Sequence, residues 1–406
     1  MSELNNIPKH WQVKKLGEVC QVLDNLRKPI NSAERQQRIA GKRQSELFPY
    51  FGATGQVGWI DDYMTDGQYV LIGEDGAPFL DIYKDKAYKI SGKTWVNNHA
   101  HILKGKDNII TDDFALYYLN SINYTDFVNG TTRLKLTKSS LIDIPVVLPP
   151  LSEQLAIVSK IEELLSDLEN GKQQLLTAQQ QLKVYRQSLL KAAFTERSRS
   201  ERDTTFKDYI LKDLTQKIQI GPFGTQLHKE DYIENGIPLI NPMHIQAGKI
   251  EANFSYSIKE DKRNSLPNYI LEEGDVIMGR RGEMGRCGLV TNKERGWFCG
   301  TGSLYFRPLK EKLNSQFLFY YLTSQPIKKY LNDNAGGTTM ANLNLKIVNE
   351  IPISLPSLAE QHQIVEILES KLTVCDKIEE TISQSLLQAE TLKQSILKKA
   401  FEGKLI

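Results

Sequence analysis

The chain has 406 residues, too long for one ordinary core, with 40% hydrophobic and 25% charged residues, the balance of an ordinary globular protein of two or more domains. No apolar run approaches the roughly 18 residues of a spanning helix, and the start MSELNNIPKH is polar where a secretory signal needs an apolar stretch, so a cytoplasmic protein without membrane contact is expected. The net charge of +2 carries no polycation signature, and the scattered Cys20, Cys287, Cys299 and Cys375 form no C-x-x-C pair, which argues against structural zinc and a disulfide framework.

Residues 1–150 read as a first mixed α/β module with short strands such as Tyr69-VLIG and Trp95-VNNHAHIL, punctuated by Gly52, Gly55, Gly58, Gly67, Gly73 and Gly76. Arg27, Lys28, Arg35, Arg38, Lys42 and Arg43 gather in a polar stretch that reads as a basic surface loop ending at Phe48-PYFGATG. Ala87-YKISGK-Thr94 imitates a phosphate-binding loop, but the next residues, Trp95-Val96-Asn97-Asn98-His99, read as strand and turn, not as the helix such a loop opens. His99 and His101, at i and i+2 on a strand, share a face without an acidic neighbour in sequence, and Asp81, Lys84, Asp85 and Lys86 read as exposed mixed charge.

Residues 151–197 change to a helical period. Ile161, Leu168, Leu175, Leu182 and Leu189 recur every seven residues, with Ile157, Leu164, Ala178, Tyr185 and Ala192 between them, the seam of a coiled coil. The helix starts after Pro149-Pro150 with Ser152 as its expected N-cap, runs about 40 residues or roughly 60 Å, and meets a weak point at Gly171.

Residues 198–357 read as a second module, with strands Asp275-VIMG and Gly302-SLYFRP and three arginines among glycines in Gly279-RRGEMGR-Cys287. Phe298-CGT-Gly302 imitates a methyl-donor-binding turn, yet the motif that would grip a flipped adenine is missing; Asn241-Pro242-Met243 falls short of it. Residues 358–406 form a second helix with a seam of Ile364, Leu368, Cys375, Ile378, Ile382, Ala389, Leu392 and Ile396, broken by Lys371 and Lys399. A helix this long needs a partner along its length, and the two pair most simply with each other, antiparallel.

The chain repeats itself. GTTRLKLTKSSLIDIPVVLPPLSEQLAIV from Gly130 matches GTTMANLNLKIVNEIPISLPSLAEQHQIV from Gly337, an offset of 337 − 130 = 207 that holds to Lys191-AAF and Lys398-KAF. Phe114-ALYYL matches Phe317-LFYYL at a slightly different offset. The modules diverge far more than the helices, as two readers of different sequences on one shared frame would.

The repeated Ile-Pro-x-x-Leu-Pro-x-Leu-x-Glu-Gln signature, the opening Ile7-Pro8-x-x-Trp11, Gly221-PFGTQL, Tyr232-IENGIPLI and Glu273-GDVIMGRRGEMG together resemble the specificity subunit of type I restriction-modification systems (HsdS). The resemblance spans essentially the whole chain. It implies an α+β pseudo-two-fold repeat, with two target recognition domains separated by two long antiparallel helices that form an intramolecular coiled coil. Each domain would read half of an asymmetric, interrupted site in double-stranded DNA. The helices would measure the gap and dock two methyltransferase (M) subunits, with two restriction (R) subunits completing the enzyme. S-adenosylmethionine, ATP and Mg2+ would bind those partners, and this chain would bind no cofactor or metal and hold no catalytic residue.

A solitary specificity protein, acting as a regulator or competitor without a methyltransferase, is the alternative. Candidate DNA contacts are the six basic residues of 27–43, Thr54, Lys93, Asn97, Asn98, Thr131, Thr132, Arg133 and Lys135 in the first module. In the second they are Thr225, Gln226, Asn241, Arg280, Arg281, Arg286, Thr338, Thr339 and Asn342. Met340 stands where the first copy has Arg133, so that arginine is not a contact common to both.

Overall fold

The computed structural model describes residues 7–195, 206–246, 248–336 and 342–406. The chain divides into two compact units, Met1–Thr177 with Ile382–Ile406, and Ala178–Thr381. Two long helices, Leu151–Thr195 and Leu358–Phe401, each contribute one half to each unit.

The first long helix begins directly after Pro150, whose carbonyl accepts the amides of Glu153 and Gln154. Ser152 therefore lies inside the first turn and is not the cap: a proline that has lost its own donor fills that place. The second helix starts with a reciprocal box, Ser357 Oγ accepting from Glu360 N–H while the Glu360 carboxylate accepts from Ser357 N–H at 3.0 Å. The first helix continues through Gly171 without interruption.

Within the first unit Lys172 pairs with Glu390 at 2.6 Å, and Ile157, Val158 and Ile161 share a core with Leu397, Ala400 and Phe401. Within the second, Arg186 pairs with Asp376 at 2.6 Å and Glu379 at 3.0 Å, and Leu182, Leu189 and Leu190 pack with Ile364, Leu368 and Cys375. Residue numbers sum alike at both pairings, 172 + 390 = 186 + 376 = 562, the mark of antiparallel helices. Most seam positions are buried or half-buried. Ile378, Tyr185 and Leu392 (the repeat of Tyr185) are exposed, because a straight helix drifts about 20° per heptad away from a 3.5-residue seam. Lys371 and Lys399 point to solvent.

The first unit holds a six-stranded sheet in the order Cys20–Val22, Ala100–Gly105, Thr65–Gly73, Ala87–Val96, Phe48–Gly52, Gly55–Ile60, with one parallel pairing, Phe48–Gly52 on Ala87–Val96. The second holds a sheet ordered Thr215–Ile220, Ser303–Pro308, Val276–Gly279, Cys287–Leu289, and another in which Ile237–Ile240 runs parallel to Phe298–Cys299. The parallel register Tyr50↔Trp95, Phe51↔Val96 recurs as Leu239↔Phe298, Ile240↔Cys299. Sequence divergence thus hides a shared topology. In the second unit Arg307 clamps the buried Asp275 through two bonds of 2.8 Å. The four cysteines are buried and free.

The repeated signature has a mechanical explanation. Gln154 is fully buried; its amide nitrogen donates to the carbonyls of Ile109 and Pro149, and its oxygen accepts from Thr111 N–H at 3.0 Å. Gln361 does the same with Lys312, Pro356 and Asn314. Each glutamine locks a long helix to the start of the helix bearing the Phe-Ala/Leu-x-Tyr-Tyr-Leu repeat, Asp112–Ser121 or Ser315–Thr323. Tyr118 and Tyr321 then donate to the carbonyls of Pro145 and Pro352. The terminal phenylalanines are exchanged. Phe401 packs edge-on against Phe114 and Tyr118 in the first unit, and Phe194 against Phe317 and Tyr321 in the second.

Candidate nucleic-acid interface

In each unit a strand, Thr65–Gly73 or Val276–Gly279, ends in a tight turn, Gly73-Glu-Asp-Gly76 or Gly279-Arg-Arg-Gly282. The closing glycines have φ of +72° and +79°, which a side chain would strain. Both turns are tied identically. Glu74 N–H donates to His99 O and Arg280 N–H to Gly302 O; Leu136 N–H donates to Glu74 O and Leu343 N–H to Arg280 O. Bridges Asp75↔Lys135 and Arg281↔Asn342 tie each turn to the strand-like residue that precedes Leu136 or Leu343.

An asparagine pins the neighbouring turn in both units, but from different strands. Asn97 accepts from His99 N–H at 2.8 Å, whereas Asn241, one strand over, accepts from Gly302 N–H at 3.1 Å. Asn97 lies over Gly52 and Asn241 over Gly300, so amide and glycine have changed places. The two asparagines' carbonyl oxygens are therefore committed to shaping the turn.

The first unit neutralises itself around its turn. Arg27 is three-quarters or more covered and bonds Glu74, Asp24 and the carbonyl of Ala100; Lys135 reaches Glu74 at 3.0 Å. Asp75 Oδ1 receives both Arg133 at 2.6 Å and His99 at 2.7 Å. His101 is fully buried between Asp24 and the carbonyl of Leu136. The histidines thus do have acidic neighbours, supplied from distant parts of the chain. Arg27 is an internal brace, and Arg133 and Lys135 are already paired.

Burial alone would raise Glu74, but the hydrogen bonds from Lys135 and Arg27, then the charges of Arg27 and His101, pull it below its ordinary value. Asp24 is lowered likewise, His101 and Arg27 overcoming burial. A depressed carboxylate stabilises the fold above its unfolded pKa, and that stabilisation disappears as pH falls through the folded one. The unfolding midpoint of the protein is therefore expected to keep this contribution from neutral pH down to about 5, and to drop as it is lost below about pH 4, through the folded values. Glu74→Gln is expected to flatten that drop in a pH series of thermal melts; an unaltered profile would discount the network.

The remaining basic residues of the first unit do not form an open loop. Ser32–Ile39 is a helix capped by Asn31, which accepts from Glu34 N–H. Arg38 and Lys42 both bond Asp61 at 2.6 Å, and Arg38 and Lys28 lie over the ring of Trp95. Arg35 lies over Tyr50, and with Asn97, Asn98 and His99 it lines a pocket of about 280 Å³. Arg43, Thr54, Asn98, Thr131 and Thr132 are exposed, and Lys93 rests on Tyr63.

In the second unit Gln226 accepts from Tyr269 O–H. Gly221 lies so close to the carbonyl of Gly300 that a Cβ would sit 1.9 Å from it, the reason for glycine in the Gly-Pro-Phe-Gly motif. Arg286 bonds Glu283 and the carbonyl of Pro242, and Arg280 donates to Asn342 Oδ1 at 3.0 Å. Arg281 is exposed and has no ion pair among the described residues. Thr338 and Thr339 lie outside the described residues, and the side chain of Thr225 is likewise not described.

The motifs that imitate catalytic sites occupy strands. Ala87–Thr94 lies within strand Ala87–Val96, and Phe298–Gly302 joins two strands. Lys86 is buried, its ammonium on Asp81 O, and Asp85 pairs with Lys393. Among the described residues no cluster of His, Cys, Asp and Glu could hold a metal, and no helix is long and apolar enough to cross a membrane.

Residues 8–178 and 205–388 match the model of the type I restriction modification DNA specificity domain. The chain is 27% identical to a putative type I restriction enzyme specificity subunit of Haemophilus influenzae, over 93% of this chain and 91% of that one. It is 26% identical to the EcoDI specificity subunit of Escherichia coli, over 98% and 89%. Among solved structures it resembles a chain from work on complex assembly and conformational transition of the type I R-M system (TM-score 0.73, 18% identity, 98% and 99% covered). It also resembles the HsdS subunit of Thermoanaerobacter tengcongensis, at a TM-score of 0.60, 18% identity and full coverage of both chains. At that identity the two structures bear on the fold alone.

Proposed function

We propose, from the premise that this chain belongs to the type I restriction-modification DNA specificity family, that it reads a bipartite, asymmetric DNA target, one half with each unit. The chain is a specificity subunit with two recognition domains and is not itself the methyltransferase or the nuclease. In this reading it also scaffolds two methyltransferase and two restriction subunits in the cytoplasm. They would bring S-adenosylmethionine, ATP and Mg2+.

One observation carries the reading. The main-chain frame around the two turns is the same, while the side chains it presents differ: Glu74 against Arg280, Asp75 against Arg281, Asn98 against Thr301, His99 against Gly302. Constant backbone ties with variable presented chemistry suit two readers of unlike half-sites. Joining them on one chain gives specificity that neither has alone, by effective concentration. In the first unit Arg35, Arg43, Thr54, Asn98, Thr131 and Thr132 are the proposed contacts; in the second, Arg280, Arg281 and Asn342.

Co-expression with a cognate methyltransferase subunit and genome-wide mapping of N6-methyladenine is expected to yield one interrupted motif. Replacing residues 206–350 with the matching module of another family member is expected to change one half of that motif only. A stable complex that methylates nothing, or a continuous motif, would overturn the reading.

A further inference from the structure

Resting on that reading, we propose that the Arg280–Arg281 turn of the second unit is a seat for a backbone phosphate of bound DNA, and that the equivalent Glu74–Asp75 turn of the first unit takes none. The two turns share the same main-chain ties, so their charge can be compared directly. Around the first turn stand Asp24, Glu74 and Asp75 against Arg27, Arg133 and Lys135, a balance of 3 − 3 = 0 before the histidines are counted. Around the second stand Arg280, Arg281, Arg286 and Lys328 against Glu283, an excess of 4 − 1 = 3 positive charges.

Glu283 is already shared by Arg286 at 2.9 Å and Lys328 at 3.9 Å, leaving no described carboxylate for the arginine pair. Arg280 is partly buried, oriented by Asn342, and burial together with the adjacent Arg281 lowers its pKa. Two neighbouring guanidiniums without a counter-charge are costly to hold, and a neutral base edge would not relieve their repulsion. A phosphodiester would, through the forked geometry that guanidinium offers. In the first unit Asp75 already occupies that role, its one oxygen gripped by Arg133 and His99 as a phosphate oxygen would be.

The test is the salt dependence of duplex binding by the complex with the methyltransferase subunit, using a random-sequence duplex and then the mapped target. Each phosphate contact contributes about 0.9 to the slope of log K against log salt, or ~3-fold in affinity between about 50 and 200 mM. Arg281→Gln, an exposed change that does not threaten folding, is expected to reduce the slope by about 1, and Arg280→Gln with Arg281→Gln by about 1–2. Arg133→Gln is expected to leave it unchanged. An unchanged slope in the Arg281 variant, with methylation still at a bipartite site, would overturn the phosphate seat and leave the two-reader function standing. An unchanged slope with an altered motif would overturn it too, making the pair a base reader. Absence of salt-dependent duplex binding by the unaltered complex would instead sink the DNA-reading function itself.

Discussion

Gln361→Leu is expected to destabilise the second unit by about 3–5 kcal/mol. Leucine fills similar space but leaves Asn314 N–H and the carbonyls of Lys312 and Pro356 buried without partners, and each such group costs about 1–3 kcal/mol. Against a domain stability of about 5–15 kcal/mol this is a large fraction. Gln154→Leu is expected to do the same in the first unit, through Thr111, Ile109 and Pro149. Urea unfolding, with hydrogen exchange read separately over each unit, checks both. Wild-type protection in either variant would show that water replaces the glutamine at no cost.

Phe401→Ala is expected to cost about 3–5 kcal/mol, and to loosen the first unit although the residue lies at the far end of the chain. Its ring is buried between Phe114 and Tyr118, with centroids 5.2 Å from each, and truncation leaves a cavity beside a helix that Gln154 and the Tyr118 bond to Pro145 hold in place. Exchange protection should fall across residues 100–120 and stay unchanged over 300–320. Phe194→Ala should give the converse pattern, somewhat weaker because that ring is less covered. Loss spread evenly over both units in either variant would contradict the assignment of each ring to one unit.

The helices and the repeat are legible in the sequence because their determinants are local. Prolines stop the preceding strand, a seven-residue period marks the seam, and the Glu-Gln pair recurs at fixed spacing. The helix Ser32–Ile39 reads as loop because SAERQQRI carries no apolar face; the cap Asn31 with Glu34 three residues on is the available signal. Ser152 has the chemistry of a cap but not the position, which the preceding proline already holds. The self-neutralised cluster is not legible, since Asp24, Glu74, His101 and Lys135 meet only through the sheet. The exchange of Asn97 for Asn241 is hidden for a similar reason. One turn is pinned from its own strand and the other from a neighbour, so no linear alignment would match them.

The exchanged helix ends also set an order of events during synthesis. The second unit is one continuous stretch, Ala178–Thr381, so its core can close as soon as that stretch has left the ribosome. The first unit begins earlier but needs Leu397, Ala400 and Phe401, which are made only after the whole of the second unit. At about 5–20 residues per second, the roughly 200 residues between the two helix ends take about 10–40 s to emerge. For that interval the face of the first module that Phe401 will cover, with Phe114 and Tyr118 on it, waits uncovered, and the half of the protein that is translated first is the half that finishes last.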